Sequence, residues 1–370
     1  MSLLHYNKVF VLAPNKFASG GPELSHQLVD YLRNKGVDAS IVYVTNPDEG
    51  CKEVSGSSIP EPYQKYNIAV ASAVEDISEN VVIIPEAFLL AVPHYPHAQV
   101  CVWWMSVDVA IRWDNNFEDS YQLEQDKKKR RQLLRYAIND KLKDTFLWRI
   151  KCLLSGHAYI KPVKNFANRY SLSRLKAEDY RLYHFYQAVY IQQFLYQHKF
   201  DRLVRLTDYI NPEIINNVDT SRKKENIILY NPEKGIEYTR KLMTLMPGYK
   251  FVALKGFTRE QLNELFDRAK LYIDFGPFPG KDRLPREAAI HNCCVITGRF
   301  GASGYFEDVP IFGKYKFDMR NPDYTLIKEK IDEIFANYDS CNKDFDYLRE
   351  TIRREQENFY REIDRIFIDK

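Results

Sequence analysis

The chain has 370 residues, 45% hydrophobic and 28% charged, with a formal net charge of +3. That length suits two domains better than one, no apolar run approaches the roughly 20 residues of a membrane span, and residues 1–14 are too short and too lightly charged for a signal peptide. Six cysteines without a C-x-x-C pair (Cys51, Cys101, Cys152, Cys293, Cys294, Cys341) read as reduced, buried thiols of a cytoplasmic protein rather than a metal centre.

In the N-terminal half, strand and helix patterns alternate. Residues 9–13 form an apolar strand, 15–21 a loop containing Gly20 and Gly21, and 22–35 an amphipathic helix with Leu24, Leu28, Tyr31 and Leu32 on one face. Strands follow at 39–44, 81–85 and 100–104. Residues 120–166 break the rhythm with charged, helix-prone sequence, and from Ser120 to Lys176 fifteen Lys/Arg face four Asp/Glu. A helix over 177–198 and a strand over 202–206 resume the alternation, and a polar stretch at 217–225 reads as a linker. Strands at 226–230, 249–254, 271–275 and 295–297, with helices between them, make a second parallel sheet. A helix over 345–367 carries Leu348, Ile352, Phe359, Ile363 and Phe367 on one face. The expected division is 1–216 with a basic insertion at about 120–176, then 226–344, then a C-terminal helix at 345–370.

The segment richest in chemistry runs from Asp274 to Ala289. A buried strand enters a Gly/Pro loop bearing Lys281 and Arg283, and a helix opens at Pro285, where a missing amide costs nothing. Cationic side chains beside a helix N-terminus suit an anion, and Glu287 in the first turn suits sugar hydroxyls. Lys234 closes the loop Tyr230–Gly235 after the first strand of this domain, as a point charge for phosphate. Lys255, Gly256 and Phe257 end the next strand, followed by Thr258 and Gln261 spaced as a capping box.

In the N-terminal half, Gly20 and Gly21 lie in the first strand-to-helix loop, where backbone can approach a ligand closely. Asp108 lies just past a strand's carboxyl end, placed to take the proton of a hydroxyl or to position that hydroxyl. His94, His97 and the loop Leu206–Asn211 are weaker candidates. The run Lys127–Arg131, with Leu147–Leu154 downstream, suits either a solvated face or docking to an anionic membrane. No nucleic-acid recognition signature accompanies it.

Leu284-Pro-Arg-Glu-Ala-Ala289 and Cys294-Val-Ile-Thr297 resemble the donor motif of GT-B glycosyltransferases of the family-4 type. Pro279 stands where that motif carries its upstream glutamate, eight residues before Glu287. The resemblance implies an α/β fold of two Rossmann-like domains facing a cleft, with the C-terminal helix crossing back to the first domain. It further implies transfer of a sugar from a nucleoside-diphosphate sugar to a glycan or lipid-linked acceptor in polysaccharide or cell-surface glycan synthesis. In that reading Lys234, Lys281 and Arg283 hold the diphosphate, Glu287 the ribose, and residues 255–257 the base. The reaction retains configuration and uses no metal or other cofactor. A nucleotide-sugar 2-epimerase and a catalytically idle binding protein on the same scaffold are the alternatives.

Overall fold

A computed structural model describes residues 3–15, 19–107, 172–219 and 221–369. Asp108 and the basic stretch up to residue 171, including Lys127–Arg131, lie outside the described residues.

The first sheet comprises β1 (Lys8–Pro14), β2 (Ala39–Val44), β3 (Asn80–Pro85), β4 (Gln99–Trp104), β5 (Leu182–Tyr186) and β6 (Leu203–Arg205), in the order β2-β1-β3-β4-β5-β6. Every pairing is parallel. Val9 to Ala13 and Val81 to Ile84 are buried without interruption, as expected where both faces of a parallel sheet are covered. Helix α1 (Gly20–Asn34) supplies part of that cover through Leu24, Leu28 and Leu32.

Strand β5 corrects the helix expected over 177–198. The chain instead forms α2 (Leu172–Ala177), β5 and α3 (Val189–Gln197). Leu182-Tyr-His-Phe-Tyr186 is rich in aromatic residues that fit a pleated surface, and its slot between β4 and β6 decides the matter. There Trp104 Nε1 donates to His184 Nδ1 at 3.0 Å, and His184 Nε2 bonds Asp179 at 2.9 Å.

The second sheet comprises β7 (Glu225–Tyr230), β8 (Lys250–Ala253), β9 (Ala269–Asp274), β10 (Cys294–Gly298) and the two-residue β11 (Lys316–Phe317), which the sequence pattern does not reveal. Its order is β11-β10-β9-β7-β8, again all parallel. Helices α4 (Arg259–Arg268), capped by the expected Thr258–Gln261 box, and α5 (Arg283–Ile290) flank β9.

The C-terminal helix is broken rather than continuous. Segments α6 (Tyr338–Lys343), α7 (Asp346–Arg353) and α8 (Glu355–Ile363) precede a π turn at Asp364–Ile368. The apolar face accordingly divides. Leu348 and Ile352 pack in the second domain's core, whereas Phe359, Ile363 and Phe367 pack against the first sheet. Phe359 stacks on Trp103 at 6.4 Å, Tyr360 stacks on Tyr31 at 4.0 Å, and Leu3 and Leu4 donate to the carbonyls of Arg365 and Ile366 at 3.2 and 3.1 Å.

Four charges, three of them buried, lock this crossing. Arg286 on α5 reaches Asp208, in the loop after β6, with Nη1 to Oδ1 at 3.1 Å and Nη2 to Oδ2 at 2.5 Å, and Glu355 of α8 at 2.7 Å. Lys281 joins through Glu355 at 2.9 Å and Asp208 at 3.3 Å. Arg286, Asp208 and Glu355 are each at most 5% exposed. Burial works against ionising Asp208, but the guanidinium of Arg286 and the ammonium of Lys281 overcome it and hold its pKa at about 2.

Removing one member of a buried ionic cluster strands its partners. Arg286→Ala should cost about 3–5 kcal/mol in chemical denaturation. Arg354→Ala, which breaks an exposed pair with Glu350, should cost less than about 1 kcal/mol. Equal losses would remove the network from its structural role.

Candidate active site

The carboxyl ends of the first sheet's strands and the loop 275–282 of the second domain enclose a cavity of about 500 Å³. The loop docks through backbone: Val107 N–H donates to the Pro279 carbonyl at 3.1 Å. Gly280 lies against Met105 so closely that a Cβ there would overlap the Met105 carbonyl oxygen. A second tight approach joins Gly235, at φ +62°, to the backbone of Phe275 and Gly276, seating the Lys234 loop under the same segment.

Gly20 and Gly21 line the cavity, but in the first turn of α1 rather than in a loop. The chain turns helical two residues before Pro22, and Ser19 takes the cap position. Arg283 crosses the cleft to this turn. Its Nη1 bonds Glu23 at 2.7 Å, and its guanidinium lies over Gly20, where a Cβ would sit 3.1 Å from Nε. Helix α5 likewise begins at Arg283 and not at Pro285, with Asp282 as N-cap. Pro285 still falls in the first turn, where its missing amide goes unneeded.

Each of the three sequence-derived phosphate cations already faces a carboxylate. Lys234 pairs with Asp282 and, at 3.6 Å, with Asp274, and its ammonium sits 4.3 Å from the centre of the Phe278 ring. Lys281 is 11% exposed and belongs to the buried network with Glu355 and Asp208. Arg283 holds Glu23. Lys281 and Arg283 line the cavity, whereas Lys234 stands behind the loop.

Glu287 is buried and accepts from Arg259 Nη1 at 2.7 Å. Lys255 is exposed and pairs with Glu233 at 2.6 Å. Gly256 adopts φ +79° and Phe257 is exposed. His94 and His97 are exposed and do not line the cavity.

The cavity's acceptor side holds a carboxyl group that the motif reading passes over. Glu86 follows β3 directly, is 5% exposed, and accepts from the Met105 N–H at 3.1 Å. Burial outweighs its backbone hydrogen bonds and pushes its pKa up to about 8, so Glu86 carries a proton at neutral pH. Ser25 and Ser106 line the same wall, and the hydroxyl of each is buried without a hydrogen-bond partner. The sequence signal was its place, the first residue past a strand's carboxyl end, where ligands of open α/β sheets bind.

Known structures share this architecture. A glycosyltransferase from Rickettsia africae ESF-5 aligns over 97% of this chain and 98% of its own, with a TM-score of 0.53 and 14% identity. Anabaena Alr3699/HepE, solved with UDP and glucose, aligns over 99% and 100%, at 0.53 and 10%. The fold is GT-B. Sucrose-phosphate synthase from Thermosynechococcus elongatus aligns over 98% of both chains, at 0.53 and 12%. At these identities the likeness is one of fold. No family model matches the chain, and no curated protein matches it.

Within this GT-B cleft the protonation of Glu86 should be readable in stability. A carboxyl whose pKa is raised from an ordinary value to about 8 by folding lends stability below its unfolded pKa and loses it as pH rises through about 8. Glu86→Gln mimics the protonated form at every pH. Its stability relative to the wild type should therefore rise between pH 5 and pH 9, by on the order of a few kcal/mol. A flat difference across that range, measured by thermal denaturation, would show that Glu86 is ionised throughout.

Proposed function

We propose that the protein is a glycosyltransferase that moves a sugar from a nucleoside-diphosphate sugar to a glycan or lipid-linked acceptor. The observation that carries this reading is the cleft itself: a loop with Lys281 and Arg283 at a helix N-terminus, facing a protonatable carboxyl on the other domain. Breaking the bond between the sugar and the diphosphate builds negative charge on the leaving group, and positioned cations stabilise it. Lys234, Lys281 and Arg283 take that role, with the first turn of α5. Glu287 receives the ribose, and residues 255–257 lie nearest the base. The acceptor enters past Gly20 and Gly21, and the protonated carboxyl of Glu86 is the group there that donates a hydrogen bond to position its hydroxyl.

The UDP and glucose bound by Alr3699/HepE, which has the same fold, support a nucleotide-sugar donor here. In keeping with the family-4 resemblance, the reaction retains anomeric configuration without a metal. No helix among the described residues is long and apolar enough to cross a membrane. A peripheral attachment to anionic membranes rests on the positive charge of residues 120–176 alone.

A thermal-shift panel of nucleoside-diphosphate sugars tests the reading, because a ligand that binds only the folded state raises its stability. One nucleotide class should stabilise the protein, and no response from any would overturn the assignment. Lys234 must exchange Asp282 for phosphate on binding. Lys234→Ala and Arg283→Ala should thus weaken the diphosphate by roughly 1.5–3 kcal/mol, while Asp282→Asn should tighten it. Weakening by Asp282→Asn would mean that the lysine stays with its carboxylate.

Glu287 separates binding from chemistry. Glu287→Gln should weaken the free nucleotide and its sugar conjugate by similar factors in calorimetry. Unchanged nucleotide affinity with collapsed turnover would place Glu287 at the transferred sugar instead.

A further inference from the structure

At the opposite edge of the second sheet, where its strands begin, a second concavity of about 760 Å³ opens. It lies between the segment leading into β7, the start of β9, the turn before β10, and helices α6 and α7. The strands' carboxyl ends, and the cleft with them, point the other way. Six cations line this concavity: Arg222, Lys223, Lys224, Lys270, Arg349 and Arg353. Three carboxylates, Asp219, Asp339 and Asp346, oppose them.

Part of this charge is structural. Lys224 Nζ donates to three backbone carbonyls, those of Phe266, Ala269 and His291, at 2.8, 3.0 and 2.5 Å, which leaves it no further proton to offer. Two other groups are incompletely used. Arg349 is 5% exposed, and its Nη2 bonds the Asn342 carbonyl at 2.8 Å and Asp346 at 2.5 Å. Its Nη1 is buried with no hydrogen-bond partner. His291 Nδ1 bonds Asp267 at 2.6 Å, while its Nε2 is also buried without a partner. Both side chains line the concavity, and buried polar atoms without partners are rare enough in folded proteins to need a reason.

We propose that this concavity binds a small soluble molecule bearing a phosphate monoester. A phosphate oxygen accepts from Arg349 Nη1, and the hydroxyl of its monoanionic form donates to His291 Nε2, so one group satisfies both orphans. Arg222, Lys223 and Arg353 are exposed at the rim and add attraction for an anion. Phospholipid headgroups share the chemistry, but Arg349 and His291 line a concavity of about 760 Å³ and not a flat face, which favours a soluble molecule over a bilayer surface.

Inorganic phosphate is the probe, and hydrogen exchange of the full-length protein followed by mass spectrometry is the readout. Phosphate should slow exchange in peptides covering 221–224 and 342–353 in a saturable way at low ionic strength. Arg349→Gln should raise the midpoint roughly tenfold or more, the factor for a lost charge-assisted contact, and the exposed double substitution Arg222→Ser/Arg353→Ser should raise it severalfold by removing attraction at the rim. If Arg349→Gln fails to fold, the double variant decides alone. Protection confined to peptides covering 275–286, or an unchanged midpoint in the double variant, overturns the proposal. So does protection by phosphatidylglycerol vesicles when free phosphate gives none, which would assign the surface to a bilayer.

Discussion

Two cations and two carboxylates, taken out of water together, hold the halves of this protein in one arrangement. Charges buried singly would be ruinous, and even paired burial gains little unless nearly every hydrogen-bonding position is filled. Here they nearly all are: Arg286 spends its guanidinium on Asp208, Glu355 and the carbonyls of Asp282 and Lys281, and Lys281 takes the remaining oxygen of Glu355. The members come from the end of the first domain, the loop and helix after β9, and the returning C-terminal helix. Such a network specifies position more than it stabilises, because an arrangement that separates its members leaves a buried charge without a partner.

That constraint shapes the cleft. Lys281 lies on the cavity wall and in the network at once, so the loop bordering the cavity is fixed by the joint between the domains. Arg283, two residues on, bridges to Glu23 on α1, and Gly280 presses its backbone against Met105. The cations of the cleft are already held by carboxylates, so under the proposed diphosphate binding one negative partner would be exchanged for another and the net gain would be smaller than the same charge gives in the open.

The cleft's carboxyl groups illustrate how environment assigns protonation. Asp208 and Glu86 are both buried beside the same cavity, and burial opposes the charge on each. Asp208 has Arg286 and Lys281 against it and falls to about 2. Glu86 has only backbone donors and rises to about 8. One stays an anion that binds the domains together, and the other stays a proton carrier facing the cavity.

Alternation of apolar strands and amphipathic helices was enough to read two parallel sheets, because period-2 and period-3.6 patterns are local properties of the chain. The strand-end loop carrying Gly280 and Lys281 was legible for the same reason, since Gly and Pro mark where a strand stops, whereas the helix starts at Gly20 and Arg283 came two residues earlier than the prolines suggested. The return of the C-terminal helix to the first domain was an expectation of the family resemblance, and its apolar pattern did not reveal the breaks that divide it between two cores. What the sequence left undecided depended on partners far along the chain. Leu182–Tyr186 reads as helix until β4 and β6 offer it a slot. Arg286 reads as an ordinary helix residue until Asp208 and Glu355, 78 and 69 positions away, are brought to it. Glu86 has an ordinary carboxyl until folding removes its water. Packing, pairing and desolvation are relations between distant residues, and only the tertiary structure supplies them.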